Sequence, residues 1–222
     1  MLPYLDLHTH SPTPSPQVRA VLSVHWGQAD APASDWQSAG LHPWHLAAAQ
    51  EDDALHWLHR QAALPGTVAI GEAGLDKVTA TPWAAQLWAF GHCAAAAESA
   101  GKPLIVHCVR AYGEILALRE QWRPAQAWIF HGFDKHPHTA QMLLRAGCFL
   151  SFGSALLNPR SHAAAALCDT PAERFFLETD ISKTPVEMVY ARAAALRGCP
   201  VEVLRRQIWA NARSVGLPPV SG

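Results

Sequence analysis

Apolar residues come in short runs rich in β-branched and aromatic side chains, and most runs are followed by apolar positions at helical spacing. The runs place strands at residues 3–8, 20–25, 36–42, 67–72, 103–107, 127–131, 148–152 and 174–179. The helical stretches fall near 46–63, 82–100, 111–122, 137–146, 160–168, 185–197 and 200–215. Their stops make physical sense. Gly101-Lys102-Pro103 ends the second helix, because glycine accepts the left-handed cap and proline cannot continue the helix. Several strands are apolar on both faces, as a parallel sheet covered by helices requires.

Strand and helix alternating in this order predict an α/β protein, and eight strands point to a (β/α)8 TIM barrel spanning residues 1–222 as one domain. Two crossovers do not fit. "THSPTPSPQV" between strands 1 and 2 and "GQADAPASD" between strands 2 and 3 are too short and too rich in Pro, Ser or Ala for a crossover helix. The expectation is a barrel whose first two helices are missing or very short. The two helices after strand 8 could cover part of the gap, or a second copy of the chain could, which makes a homodimer worth testing.

Composition narrows the class. Of the 222 residues, 50% are apolar and 16% charged, enough for a substantial core, and the formal net charge is −1. That balance argues against the global basicity of many nucleic-acid binders, while leaving room for a local basic site. Five widely spaced cysteines without a CxxC pair read as reduced thiols of a cytoplasmic protein. No apolar run reaches membrane-spanning length.

The candidate chemistry sits at strand ends. In "LPYLDLHTH", Asp6, His8 and His10 occupy alternate positions and so share one face of strand 1. Strand 4 ends at Glu72, strand 5 at His107, strand 6 at His131 and strand 8 at Asp180. In a parallel barrel these C-terminal ends meet at one mouth, where active sites of the fold lie. Each residue alone could be ordinary loop polarity; together they would be costly to crowd into a dry mouth without a partner. Four imidazoles and two carboxylates suit borderline divalent metals and suffice for two ions sharing a carboxylate. Asp6 starts the triplet, lies deeper, and reads as a group that hydrogen-bonds a ligand histidine or a metal-bound water. His25, His42, His45, His136 and His138 fall just past strand ends, where a substrate contact and a plain loop role stay open, and His42 in "GLHP" is the best placed. Lys77, Lys135 and Arg160 could form a modest basic rim, with Trp26, Trp44 and Phe133 near the mouth.

The series "DLHTH", "GLHPW", "GEAGLD", "PLIVHCVRA", "FHGF", "GCFLSFG", "ETD" and "NARSVG" resembles, in order, the motifs of TatD-type metal-dependent hydrolases (deoxyribonucleases) of the amidohydrolase superfamily. The resemblance covers nearly the whole chain. It implies a TIM barrel, two divalent ions (Zn, Mn or Mg) and hydrolysis of phosphodiesters such as DNA by a metal-activated hydroxide. His8, His10 and Asp180 would hold one ion and His107 and His131 the other, with Glu72 bridging. Asp180 would orient the water and take its proton, while Arg110, His42 and Lys183 would contact substrate. Two departures fall on substrate loops: Arg110 comes one position later than the family's arginine, and "ISKTP" replaces the common Ser-Pro turn after "ETD". The alternatives are the same metal pair acting on a small ester, an amide or an aminoacyl-tRNA ester, or a non-catalytic metal-binding protein.

Overall fold

In a computed structural model, which describes residues 2–11, 15–28, 34–46 and 51–219, the eight strands form one sheet in chain order. They are β1 (Tyr4–Thr9), β2 (Val18–His25), β3 (Gln37–Gly40), β4 (Thr67–Asp76), β5 (Leu104–Val109), β6 (Trp128–Phe130), β7 (Phe149–Phe152) and β8 (Phe175–Leu177). The helices are α1 (Glu51–Ala62), α2 (Trp83–Ala100), α3 (Tyr112–Trp122), α4 (Pro137–Arg145), α5 (Ala163–Asp169), α6 (Val186–Arg197) and α7 (Val201–Ser214). Every β-ladder whose register is resolved is parallel. Among the described residues no helix separates β1 from β2 or β2 from β3. Residues 12–14, 29–33 and 47–50 of those connections and of the expected first helix lie outside the described set.

The chain divides into two compact units, one of residues 1–22 and 130–222 and the other of residues 23–129. In the first, β1 pairs with β2, β7 with β8, and Thr9 bridges to Asp180. The question of what covers β1 is answered within this unit by the two C-terminal helices. Tyr190 of α6 donates its hydroxyl to the Leu5 carbonyl at 2.9 Å and accepts the Leu5 N–H at 3.2 Å. From α7, the Trp209 indole N–H reaches the Pro3 carbonyl at 2.7 Å and the Arg205 guanidinium lies 4.1 Å from the Tyr4 ring centroid. Leu5 and Leu7 are fully buried without a second chain. Asn211, in the late "NARSVG" motif, donates to the carbonyls of Ala172 and Phe175 at 2.9 and 2.8 Å, tying α7 to the start of β8. Arg197 closes the C-terminus of α5 by donating to the carbonyls of Leu167, Cys168 and Thr170.

In the second unit β4 lies between β3 and β5, and all ten of its residues are buried. The strand runs four residues past the expected end at Glu72. Residues Ala73–Asp76 stay paired with Val106–Val109 of β5, and Gln86 accepts the Asp76 N–H at 2.7 Å and donates to its carbonyl at 3.1 Å. Packing behind the strands is aromatic: Phe90 of α2 meets Trp122 and Trp128 at centroid separations of 5.6 and 5.2 Å. α2 ends at Gly101, whose φ of 64° provides the left-handed cap. Among the described residues no helix is long and apolar enough to cross a membrane.

Candidate metal centre

In the first unit the ends of β1 and β8 are laced together by backbone. Asp180 donates its N–H to the His8 carbonyl at 2.9 Å, and His10 donates its N–H to the Asp180 carbonyl at 3.1 Å. This lacing holds Asp180 at a φ of +54°, a left-handed conformation that aspartate tolerates better than most side chains. As a result His8 Nε2 and His10 Nε2 lie 3.6 and 3.4 Å from Asp180 Oδ1. The His131 ring, just past β6, sits 4.4 Å from that of His8, and ligand atoms of His8, His131 and Asp180 all fall within 4.8 Å of one another. Burial would push the Asp180 carboxyl up, but hydrogen bonds from His10 and His8 and the field of His131 outweigh it and hold the group well below the usual carboxylate range.

Two further acids brace this group. Asp6 accepts the Thr179 N–H and hydroxyl at 2.9 and 2.7 Å, so its bonds fix the residue beside Asp180. Burial raises its pKa to about 6 against those bonds. Glu178 is fully buried, accepts the Gly132 N–H at 2.5 Å and lies 3.8 Å from His131 Nδ1. Its other oxygen, Oε2, is buried with no hydrogen-bond partner.

In the second unit Glu72 Oε1 is met by His107 Nδ1 at 2.7 Å and His42 Nε2 at 3.2 Å. These three residues form another group with ligand atoms inside 4.8 Å. β4 and β5 approach closely enough for this only because Gly74 lacks a side chain; a Cβ there would lie 1.9 Å from the His107 carbonyl oxygen. The far nitrogen of His107 faces Asp76 Oδ2 at 3.3 Å, and the same oxygen accepts the Trp44 indole N–H at 2.7 Å. Burial works to lower the His107 pKa, but the Glu72 and Asp76 carboxylates overcome it and raise the value.

All six expected metal-ligand positions therefore fall into His/carboxylate clusters: His8, His10, His131 and Asp180 in one unit, Glu72 and His107 in the other. His131 groups with His8 and Asp180, where the resemblance implied a pairing with His107. His42, expected at the substrate, sits against Glu72. Arg110 and Lys183 are exposed, Arg110 at a φ of +57° at the end of β5. The expected basic rim is partly neutralised, since Lys77 pairs with Glu114 and Lys135 with Asp134. Glu178 and Asp76 escaped the sequence reading. For Asp76 the signal was there: it follows Glu72 by four on β4 and so shares its face, whereas Glu178 lies past the end of β8, where strand alternation gives no guide.

The model of the family described as TatD-related DNase matches residues 17–215. The chain belongs to that family. The "DLHTH" motif that carries His8 and His10 precedes the matched span. Curated relatives include the 3'-5' ssDNA/RNA exonuclease TatD of Cronobacter turicensis, 33% identical over 67% of this chain and 57% of that one. The protein of the same name from Pantoea ananatis is 30% identical over 81% of this chain and 77% of that one. Among solved structures the TatD homologue YJJV of Escherichia coli shares the fold, with a TM-score of 0.80, 19% identity, and 97% and 98% of the two chains aligned. A lactonase template engineered for organophosphate hydrolysis aligns at a TM-score of 0.56 and 14% identity, over 91% of this chain and 77% of that one. The fold is thus the TIM barrel of TatD proteins, and the family implies divalent metals; the chain spans a little over half the length of the first of these curated relatives.

Proposed function

We propose that this TatD-family chain hydrolyses phosphodiester bonds of single-stranded nucleic acid with two divalent ions, Zn, Mn or Mg. The observation that carries the reading is that each compact unit gathers imidazoles and a carboxylate with ligand atoms within 4.8 Å. Nitrogen and carboxylate oxygen form the donor set such ions take, and the partnerless buried Oε2 of Glu178 fits a site built around cations. His8, His10, His131 and Asp180 would hold one ion, and Glu72 and His107, joined by His42, the other. When bound, the ions supply Lewis acidity and a water of lowered pKa.

The protein's own part is positioning and proton transfer. Asp180, ionised at neutral pH, is the base that takes the proton of the attacking water. Asp6 fixes the Thr179–Asp180 turn through its two bonds to Thr179. Asp76 holds the far nitrogen of His107, leaving the ring oriented toward Glu72. Exposed Arg110 and Lys183 are available to phosphoryl oxygens. Five widely spaced cysteines without a CxxC pair support a reducing, cytoplasmic compartment.

The test is elemental analysis of purified protein, then a hydrolysis panel of single- and double-stranded DNA, RNA, a bis-aryl phosphate and simple esters. Bound first-row metal and cleavage of single strands are expected. Ester cleavage without phosphodiester cleavage would overturn the nuclease reading, and absence of metal after reconstitution with Mn or Zn would remove the enzyme reading altogether. Glu72→Ala should lower metal stoichiometry together with activity; unchanged metal content would refute Glu72 as a ligand.

A further inference from the structure

We infer that Trp44 is a preset platform on which a nucleobase of the substrate stacks, next to the His42–Glu72–His107 group. The inference rests on the nucleic-acid reading above and names the residue that grips the base.

Three aromatic residues were expected near the mouth, and their surroundings separate them. Phe133 is buried at 1% exposure, and the Trp26 ring packs 6.0 Å from that of Trp57. Trp44 leaves 57% of its surface exposed. An exposed indole is ordinarily free to swing, but this one is fixed three ways. Its N–H is bonded to Asp76, a residue 2% exposed that also accepts the Val78 N–H at 2.7 Å. Its ring meets those of His42 and His107 near right angles, with centroids 5.1 and 5.8 Å away. Its backbone lies in a single 3-10 turn, Pro43–His45, that begins with a proline and is capped by the His42 ring accepting the Trp44 N–H at 3.1 Å. The rotamer entropy of the indole is spent before substrate arrives, which is what makes a platform rather than a loose hydrophobe.

The indole touches both imidazoles of the candidate metal group, so a base lying on it carries its own phosphodiester to that group. Stacking accepts every base, since each has a π-face, and requires an unpaired nucleotide. The expected substrate behaviour is therefore a demand for single strand at that position with little base preference.

The experiment measures binding by fluorescence anisotropy, using Mn-reconstituted protein and a labelled phosphorothioate DNA hexamer, beside the same hexamer with abasic nucleotides. The wild type should bind the base-bearing oligomer roughly tenfold more tightly than the abasic one. Trp44→Ala should remove that advantage by weakening only the base-bearing oligomer, and Trp44→Phe should keep most of it. Equal affinity of the wild type for the two oligomers overturns the platform without depending on any variant, as does an unchanged preference in Trp44→Ala. Cleavage of single-stranded DNA by a wild type that ignores the bases removes the platform alone. Binding of neither oligomer together with no cleavage of unmodified single-stranded DNA removes the nuclease reading with it.

Discussion

Glu178 should make the metal-free protein less stable as pH rises, the reverse of what a paired carboxylate does. Burial holds its carboxyl at about 8 instead of 4.5; the field of His8 opposes this and the charge of Asp180 adds to it. The unfolded chain releases the proton near the ordinary value, so between pH 4.5 and about 8 the native state binds a proton that the unfolded state has lost. Stability then falls with a slope of up to about 1.4 kcal/mol per pH unit. Over the window from 4.5 to about 8 this amounts to roughly 5 kcal/mol. Glu178→Gln removes the titration while keeping a carbonyl oxygen to accept the Gly132 N–H. Urea unfolding of both proteins after chelation, followed from pH 4.5 to 8.5, isolates the effect from every other group. The two stabilities should converge at the acid end and separate in favour of Glu178→Gln as pH rises. Curves that stay parallel across the range would refute the assignment of a protonated, buried Glu178.

Asp180→Asn should lower kcat by about 10²- to 10⁴-fold while leaving the melting temperature nearly unchanged, because asparagine also tolerates the φ of +54°. Wild-type turnover in that variant would exclude Asp180 as the base. Asn211→Ala strips the donors from the Ala172 and Phe175 carbonyls and should cost about 1–3 kcal/mol in urea melts. An unmoved midpoint would show that this motif asparagine does not tie α7 to β8. Under a disulfide thiol reagent, exposed Cys168 should react first. Cys93, fully buried with its thiol pushed up to about 12, should react only on unfolding. Equal rates for Cys168 and Cys93 would contradict the burial.

The pattern of short apolar runs located all eight strands, because strands of a parallel sheet covered by helices are mostly buried and so mostly apolar. Boundaries failed where side chains from elsewhere decided them. β4 continues through "AGLD" because Ala73–Asp76 pair with β5 and because Gln86, on the following helix, satisfies both backbone groups of Asp76. The absent helices were legible as Pro- and Ala-rich segments too short to cross over. The two helices after strand 8 were one of two candidates for covering the gap; the contacts that bring α6 and α7 onto β1, through Tyr190 and Trp209, span 185 and 206 residues of sequence and were not legible.

The same division runs through the candidate centre. Sequence placed the candidate His and carboxylate residues at strand ends, since period-two alternation fixes which residues of one strand share a face. It could not rank neighbours. That the His131 ring meets His8, that His42 turns to Glu72, and that Asp76 and Glu178 lie against the imidazoles are facts about which side chains converge in space. Tertiary structure alone decided them, because a hydrogen bond reaches about 3 Å whatever the distance along the chain.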